Sequence, residues 1–428
     1  MIKQAAFLCG CLLLAACSAL LNSGRPKYEG AIVRPLWHDG GFDVTETPIV
    51  RGGVVYAVGQ SLGSGPSHIY AFDARTGRRR WIGRTAATRI IAVGDRTLLI
   101  GGAAGSASAL DTASGLPATW ITPRPVDDAT YTDGTWYVTG PAHSLSALRG
   151  NGEQIWTRSL PVRAVAAPVV GGNLVYAYGV RHVDELTPEL SGAYAFDRRS
   201  GTLRWKRDVR ERFGKYRFDA KSQKMAWTEK PDKVTLGIVL ADAHAAYVWE
   251  QHRDETTFIN RSVLIAIDAR SGTTRWQRWN SGICLDLPNL ADPASVVVCE
   301  SPREAGAHGL VYRALARASG AIQWQGTTMW DYDRFVPYGA DAIASDRRVH
   351  DLLNENMQTS PDSWLTLVDR RTGSEVWRTE VVPLATFTLA AAGSGVVVVG
   401  SKPFTWADPH VAGDPSVAGL WAWPLRLR

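Results

Sequence analysis

Few residues of this 428-residue chain have the types and the spacing that catalysis requires. The segment Gly59–Gly63 reads G-Q-S-L-G and fits the G-x-S-x-G motif of serine hydrolases. In those enzymes a helix follows the motif directly, so that the serine is exposed on a sharp turn. A loop rich in glycine, serine and proline follows Ser61 instead. We therefore do not assign Ser61 as a nucleophile.

Metal and phosphate sites are not indicated either. The nine histidines never occur as His-x-x-x-His or beside a pair of cysteines, and the chain contains no Cys-x-x-Cys. Zinc sites are typically built from such pairs. The glycine-rich segment Gly101–Gly105 lacks the Lys-Ser/Thr of a phosphate-binding loop. The sequence thus predicts no catalytic residue, no metal ligand and no cofactor-binding residue.

Cys17 is the first residue for which the sequence predicts chemistry. Lys3, an apolar stretch over Ala5–Ala16 and small residues at its end are typical of a secretory signal, and the stretch is too short to cross a bilayer. The residues LAAC, ending at Cys17, resemble a lipobox, in which the cysteine becomes the lipid-modified first residue and carries acyl chains such as palmitate. We predict a lipoprotein signal peptide over residues 1–16 and a lipidated tether over 17–29. Signal cleavage without lipidation is the alternative.

A disulfide is the second expectation for cysteine. Once Cys9 and Cys11 leave with the signal and Cys17 is acylated, two of the five cysteines remain, Cys284 and Cys299. They lie in strand-like stretches on either side of a loop, and the oxidising cell envelope permits a bond between them. We expect this disulfide, with two buried free thiols as the alternative.

The elements that carry these residues follow from an internal repeat. Seven times a short apolar run reaches an Asp-like position, passes Ser/Thr-Gly and ends on a tryptophan, as in YAFDARTGRRRW (residues 70–81) and YAFDRRSGTLRW (residues 194–205). Alternating apolar residues predict a strand, and Asp-x-x-Ser/Thr-Gly is turn chemistry, so each copy is a β-hairpin. Upstream strands bounded by glycine raise the content to about four strands per repeat, which is one propeller blade.

The number of blades follows from the tryptophans. We expect these residues to lie on the outermost strands and to pack between neighbouring blades. An eighth tryptophan precedes the first repeat, and after the last repeat come three strand-like segments that no turn and tryptophan follow. We predict an all-β, eight-bladed propeller of four-stranded blades over residues 30–428, in which the N-terminal strand completes the C-terminal blade. The blade-packing residues are Trp37, Trp81, Trp120, Trp156, Trp205, Trp276, Trp324 and Trp377.

The repeated Ala-x-Asp-x-x-Ser/Thr-Gly-x-x-x-Trp resembles that of the quinoprotein-type (PQQ-repeat) propellers, from about Tyr28 to the end of the chain. This resemblance implies the fold, but the same fold serves pyrroloquinoline quinone (PQQ) dehydrogenases, sensors and non-enzymatic lipoproteins. The lipid signal and the length are most similar to those of the propeller lipoproteins of the outer-membrane β-barrel assembly machine. The resemblance implies a non-enzymatic scaffold, anchored to the periplasmic face of the outer membrane, that binds envelope proteins as a monomer within a complex.

An enzyme or a ligand-binding propeller is the alternative. A PQQ dehydrogenase is expected to carry adjacent cysteines that stack on the quinone, together with a calcium site, and the chain has no Cys-Cys pair. We therefore expect no enzyme activity and no cofactor. A quinoprotein-like propeller that binds PQQ or another small ligand in its central funnel remains the competing hypothesis.

Charge suggests where a partner binds. The formal net charge is +6, and Arg207–Lys233 alone holds nine basic and five acidic residues. This segment lies in the longest gap between repeat tryptophans, so we interpret it as an insertion between blades that meets acidic protein or anionic lipid. A solvated excursion without a partner is the alternative. Specificity is expected here and in Glu250–Asn260 and Asn354–Ser363. Nucleic acid is not an expected partner, because the export signal directs the chain to another compartment.

Overall fold

The computed structural model is described here for part of the chain. The described residues are 31–61, 65–102, 107–119, 125–181, 190–210, 215–219, 224–229, 232–254, 260–281, 294–300, 311–327, 332–338, 341–348, 362–369, 375–380, 385–403 and 418–425. The chain divides into the units Met1–Ala31 and Ile32–Arg428, and the second is the propeller.

The described residues form 35 β-strands and no helix. The strands are β1 Ala31–Val33, β2 Trp37–Gly40, β3 Phe42–Val44, β4 Ile49–Arg51, β5 Val54–Ser61, β6 His68–Asp73, β7 Arg79–Ile82, β8 Arg89–Val93, β9 Thr97–Gly101, β10 Ala107–Asp111, β11 Asp128–Thr132, β12 Thr135–Gly140, β13 Ser144–Arg149, β14 Gln154–Ser159, β15 Arg163–Ala164, β16 Val169–Gly171, β17 Leu174–Arg181, β18 Leu190–Asp197, β19 Leu203–Arg210, β20 Lys215–Asp219, β21 Lys224–Glu229, β22 Asp232–Ala241, β23 Ala245–Asp254, β24 Asn260–Asp268, β25 Thr274–Ser281, β26 Ser295–Glu300, β27 Val311–Ala316, β28 Ile322–Thr327, β29 Tyr332–Tyr338, β30 Asp341–Arg348, β31 Asp362–Asp369, β32 Glu375–Thr379, β33 Ala385–Gly393, β34 Val396–Pro403 and β35 Gly419–Pro424.

Eight antiparallel sheets form the blades, and the predicted all-β, eight-bladed propeller is confirmed. In chain order the blades are blade 1 (β3–β7), blade 2 (β8–β10), blade 3 (β11–β14), blade 4 (β15–β19), blade 5 (β22–β25), blade 6 (β26–β28), blade 7 (β29–β32 with β1) and blade 8 (β33–β35 with β2). The first strand of each blade is innermost and the last is outermost, because consecutive strands pair as hairpins.

The core lies between blades, not within them. The described part of the chain has seven buried apolar clusters, and each joins two consecutive blades. The joined pairs are blades 7 and 8, 8 and 1, 1 and 2, 2 and 3, 3 and 4, 4 and 5, and 5 and 6. The cluster of blades 8 and 1, for example, packs Val398 and Leu420 against Val44 and Phe72. Each blade therefore buries both faces, which explains the continuous apolar runs of the middle strands.

Blade 8 contains strands from both ends of the chain. Its order is β2-β35-β34-β33, with Trp37 opposite Ala422 and Gly40 opposite Gly419. The preceding strand β1 lies on the outer edge of blade 7, beside β32, and Val33 is buried among residues of blades 7 and 8. The N-terminal segment thus covers the outer edges of two blades. The pairing of β2 with blade 8 was expected from the sequence, and the pairing of β1 with blade 7 was not.

A β-bulge recurs beside the repeat tryptophans. Trp81, Trp156 and Trp205 lie opposite Ala71, Ala147 and Ala195 of the neighbouring strand, and the register shifts directly after each alanine. The same shift follows the partners of Trp276, Trp324 and Trp377. Bulges increase the local twist of a strand pair. The repeat has a small alanine at this position because the residue lies under a cross-strand indole.

The basic insertion is shorter than the sequence indicated. Arg207–Arg210 belongs to the outermost strand of blade 4, and Asp232 begins the innermost strand of blade 5. Between them, β20 and β21 pair only with each other as a separate two-stranded sheet. Residues 211–231 are therefore the insertion proper, whereas its predicted ends are integral to two blades.

Candidate functional site

The repeat aspartates organise the turn between the third and fourth strands. One carboxylate oxygen of Asp197 accepts hydrogen bonds from the backbone N–H of Arg199 at 3.1 Å, from that of Ser200 at 3.0 Å and from the Ser200 hydroxyl at 3.1 Å. Asp73, Asp111 and Asp268 make the same three bonds in their own turns. A carboxylate that satisfies two backbone donors fixes the turn. These aspartates therefore have a structural role in their turns.

Each such turn receives the tryptophan of the preceding blade. The indole N–H of Trp156 donates to the carbonyl oxygen of Arg198, the residue after the aspartate, at 2.9 Å. Trp205 bonds Ala269 in the same way at 3.1 Å. The equivalent bonds run from Trp37 to Ala74, from Trp81 to Thr112 and from Trp276 to Arg317. These five tryptophans thus lie between blades, each bonded to the next turn along the ring.

Glycine is required where the indole meets the turn. Gly201 has a φ of +66°, and a Cβ atom placed on it would lie 2.6 Å from Cδ2 of Trp156. Gly272 meets Trp205 in the same manner, with a φ of +73°. Any other residue would be strained and would also displace the ring. The glycine of each Ser/Thr-Gly and the tryptophan of the preceding repeat therefore pack directly against each other.

Tyrosines on the second strands complete this contact, and the sequence analysis missed them. Tyr137 and Tyr176 pack against Trp156 and Trp205 of their own blades, with ring centroids 6.3 and 5.7 Å apart. Tyr56 and Tyr247 have the same position beside Trp81 and Trp276. The signal was present as a tyrosine in the middle of each upstream apolar strand. Burial raises the pKa of Tyr247 to about 12, so its hydroxyl stays protonated.

Trp377 is a repeat tryptophan without this bond. It is fully buried between blades 7 and 8, yet its indole N–H has no hydrogen-bond partner, as is also the case for Trp364 and Trp423. In blade 8 the third strand β35 and the fourth strand β2 are distant in the chain, so no Asp-x-x-Ser/Thr-Gly turn joins them beside this indole.

We expect Trp205→Phe to destabilise the protein more than Trp377→Phe. Both changes remove the same ring atoms from a buried site, but only the first breaks a bond and leaves the carbonyl oxygen of Ala269 without its donor. Such a loss costs about 1–3 kcal/mol, whereas removing an unpaired donor costs nothing in hydrogen bonding. Urea unfolding of both variants measures the difference. Equal losses would contradict this account of the indole bonds.

The turn aspartates have lowered pKa values. A hydrogen bond from Arg204, at 2.8 Å from its guanidinium, is the main reason that the pKa of Asp197 falls from 3.8 to about 2. The matching contact with Arg80 lowers the pKa of Asp73, and bonds from Ser271 lower that of Asp268. A group that is more acidic in the folded state stabilises the fold above its unfolded pKa and loses this effect as the pH falls.

We therefore expect stability to fall between about pH 4 and pH 2, as these turns become protonated. Asp197→Asn keeps an oxygen that accepts the turn bonds but removes the charge that faces Arg204. It should lower stability at pH 6 and flatten the acid limb of the curve. Denaturant midpoints of the wild type and the variant across this range test the expectation. Parallel curves for the two proteins would be the contrary result.

The two faces of the ring differ in their connections. Strand alternation places the first-to-second and third-to-fourth connections on one face, the turn face, where Gly52–Gly53 and Asp133–Gly134 are typical links. Second-to-third and inter-blade connections lie on the other, the loop face. The three predicted excursions all begin and end there: 211–231 between blades 4 and 5, 255–259 in blade 5 and 349–361 in blade 7. Residues 255–259 and 349–361 lie wholly outside the described residues, and 211–231 lies partly outside them.

An ion pair joins blades 4 and 5 close to the loop face. Glu250 on β23 is buried and accepts a hydrogen bond from the guanidinium Nε of Arg207 at 2.5 Å, while the His252 ring lies 3.8 Å from its other oxygen. Burial opposes ionisation of Glu250, but bonds from His252 and Arg207 outweigh it and lower its pKa. Arg207 thus fastens the base of the insertion to the next blade instead of facing a partner.

A cavity of about 620 Å³ also lies at the loop face, where the innermost strands of blades 2, 3 and 4 begin. Arg89, Arg163 and Arg181 line it together with Asp127 and Asp128. The sequence analysis missed this cluster, because its members are 92 residues apart at the extremes and share no motif. The site is concave and carries charged side chains of both signs.

Several predicted residues lie outside the description. Cys17, Trp120 and Cys284 are not among the described residues, and nothing is said of the Cys299 side chain on β26, so the lipid anchor and the disulfide stay predictions. In the described segments, no cluster of three or more His, Cys, Asp or Glu side chains is arranged to hold a metal ion. None of the described segments is a helix long and apolar enough for a membrane span.

Fold and repeat together define a class: the protein is an eight-bladed propeller of the PQQ-repeat type. The family model described as outer membrane protein assembly factor BamB matches residues 34–122 and 118–215, which carry blades 1 to 4. The crystal structure of BamB from Moraxella catarrhalis superposes with a TM-score of 0.52 at 15% sequence identity, covering 93% of this chain and 99% of that one. Over residues 34–215 the sequence is therefore similar to this family, and the superposition supports the eight-bladed fold.

Two other comparisons add no functional information. The crystal structure of the computationally designed Ika8 protein matches with a TM-score of 0.48 and 8% identity, covering 92% of this chain and all of that one (100%). No curated protein matches the sequence.

Proposed function

We propose that this protein is a non-enzymatic scaffold of the cell envelope, lipid-anchored through Cys17 at the periplasmic face of the outer membrane, with a BamB-like role in β-barrel protein assembly. The family match and the lipobox at residues 14–17 support the proposal. Its partners are envelope proteins, among them components of the β-barrel assembly machine. It acts as one propeller within a complex.

The observation that carries this proposal is the difference between the two faces. The turn face consists largely of short links held by aspartate and indole bonds, whereas the long connections 211–231 and 349–361 start from the loop face. Loops on a rigid scaffold are the usual place of binding surfaces, because their sequence varies without cost to the core. We therefore assign partner binding to the loop face between blades 4 and 5, where the basic insertion is attached.

Site-specific photo-crosslinking in intact cells tests this assignment. Trp279 and Leu203 make a matched pair, since both are large apolar residues on outermost strands, with exposed fractions of 55% and 47%. Trp279 lies near the loop-face end of β25, and Leu203 begins β19 at the turn face. A crosslinker at position 279 should capture an envelope protein that one at position 203 does not.

Replacing residues 211–231 by a short Gly-Ser linker is the companion variant. Strand β19 ends before the insertion and β22 begins after it, and closing a surface loop of different length costs little. The melting temperature should therefore stay nearly unchanged. The crosslink at position 279 should be lost. Equal crosslinking from both faces, or an undiminished crosslink in the linker variant, would contradict the proposal. Turnover of an alcohol or sugar with added PQQ and calcium would favour the quinoprotein alternative instead.

A further inference from the structure

The cavity at blades 2, 3 and 4 has a cause in the sequence of blade 4. The innermost strand of this blade is interrupted between Ala164 and Val169, where the chain reads V-A-A-P, so it pairs with β17 as two short pieces. Pro168 has no N–H group to donate to the neighbouring strand. Its carbonyl oxygen instead accepts a bond from the Thr130 hydroxyl of blade 3 at 2.5 Å. The interruption leaves a recess beside Ala164 and Val165.

Positive side chains from two blades converge on this recess. Arg163 and Arg181 come from the start of β15 and the end of β17, and both are largely exposed on the cavity side of blade 4. Arg89 crosses from blade 2 over Gly101, where a Cβ atom would lie 2.9 Å from its Cγ, and its guanidinium donates to the carbonyl oxygen of Asp127. Arg89 is therefore held in place, whereas Arg163 and Arg181 make no side-chain bond that would neutralise them among the described residues.

Two aspartates line the opposite wall. Asp128 is half-buried, and one of its carboxylate oxygens accepts the backbone N–H of Ala129 at 3.0 Å. Burial raises the pKa of Asp128. With three guanidinium groups against two carboxylates, the cavity is positive at neutral pH. Among the described residues its lining contains no Phe, Tyr or Trp side chain, and His143 supplies a ring.

We propose that this cavity binds a small soluble anion that carries several carboxylate or phosphate groups. Arg163 and Arg181 contact the anion, because guanidinium groups match the geometry of carboxylate and phosphate oxygens. Arg89 adds positive charge from the far side, and Asp128 limits the affinity by repulsion. This site is independent of the proposed scaffold role, which concerns the rim between blades 4 and 5.

Isothermal titration of the full-length protein with citrate and with inorganic pyrophosphate tests the site and separates the two anion chemistries. We expect a saturable heat for at least one of them at low ionic strength, weakening with added salt. The double variant Arg163→Gln/Arg181→Gln should bind the same anion at least about tenfold more weakly, which corresponds to 1.4 kcal/mol. The matched control Arg199→Gln/Arg270→Gln removes the same charge from exposed turns of the turn face and should bind as the wild type does.

Asp128→Asn gives a change of opposite sign. The amide oxygen keeps an acceptor for the N–H of Ala129, but the negative wall is lost, so the affinity should rise severalfold. Melting temperatures of all variants show that the ring is intact. The proposal is overturned if neither anion binds at millimolar concentration, if both double variants bind alike, or if Asp128→Asn leaves the affinity unchanged.

Discussion

Trp156→Ala should lower the free energy of unfolding by about 3–5 kcal/mol, the usual loss when a buried aromatic side chain is truncated. Trp156 is 6% exposed and joins blades 3 and 4 through its packing and its bond to Arg198. Since a domain of this kind has a total stability of about 5–15 kcal/mol, one such change removes a large part of it. Urea unfolding at neutral pH measures the loss.

Gly201→Ala changes the other side of the same contact, in blade 4. It should cost about 1–2 kcal/mol for the left-handed backbone and about 1–3 kcal/mol more for the clash with the Trp156 ring. In the Trp156→Ala background the ring is gone and only the backbone strain remains. The double-mutant cycle should therefore show coupling of about 1–3 kcal/mol. Strict additivity would mean that the glycine and the indole do not act as one contact.

Deleting Trp37–Gly40 should have the largest effect of all. These residues form the outermost strand of blade 8, and Trp37 donates its indole N–H to Ala74 of blade 1 at 3.0 Å. The deletion removes a buried aromatic side chain and exposes the edge of β35, which together should cost more than about 5 kcal/mol. An exposed edge strand also promotes aggregation. Calorimetry of the deletion variant should show a much lower melting temperature and a broader transition.

Two substitutions separate the contributions to this closure. Trp37→Ala keeps the backbone pairing of β2 with β35 and should cost less than the deletion. His38→Ala removes only the ring that stacks on Trp421 at 3.9 Å and should cost least. Hydrogen exchange of the β34 and β35 amides should increase in the same order. A deletion variant that melts like the wild type would show that β2 does not hold the ring closed.

The sequence by itself determined the repeat, and with it the number and the type of the blades. Each blade depends on a short stretch that includes an alanine, an aspartate, a glycine and a tryptophan, as in residues 194–205. The side chains of this stretch make their turn bonds locally, and the tryptophan meets an identical turn in the next repeat. A contact that recurs at every interface leaves a period in the sequence, and a period can be read without a structure.

Only the tertiary structure decided what happens where the repeat is broken. The bond between Arg207 and Glu250, the recess lined by Arg89, Arg163 and Arg181, and the unpaired indole of Trp377 are not part of the repeat. They involve residues that are distant in the chain and share no motif, so no periodic pattern in the sequence predicts them. The insertion also appeared longer in the sequence than it is, because the charged residues at its ends continue strands of blades 4 and 5. Their partners are set by the ring that brings the blades together, and that closure is a property of the whole chain.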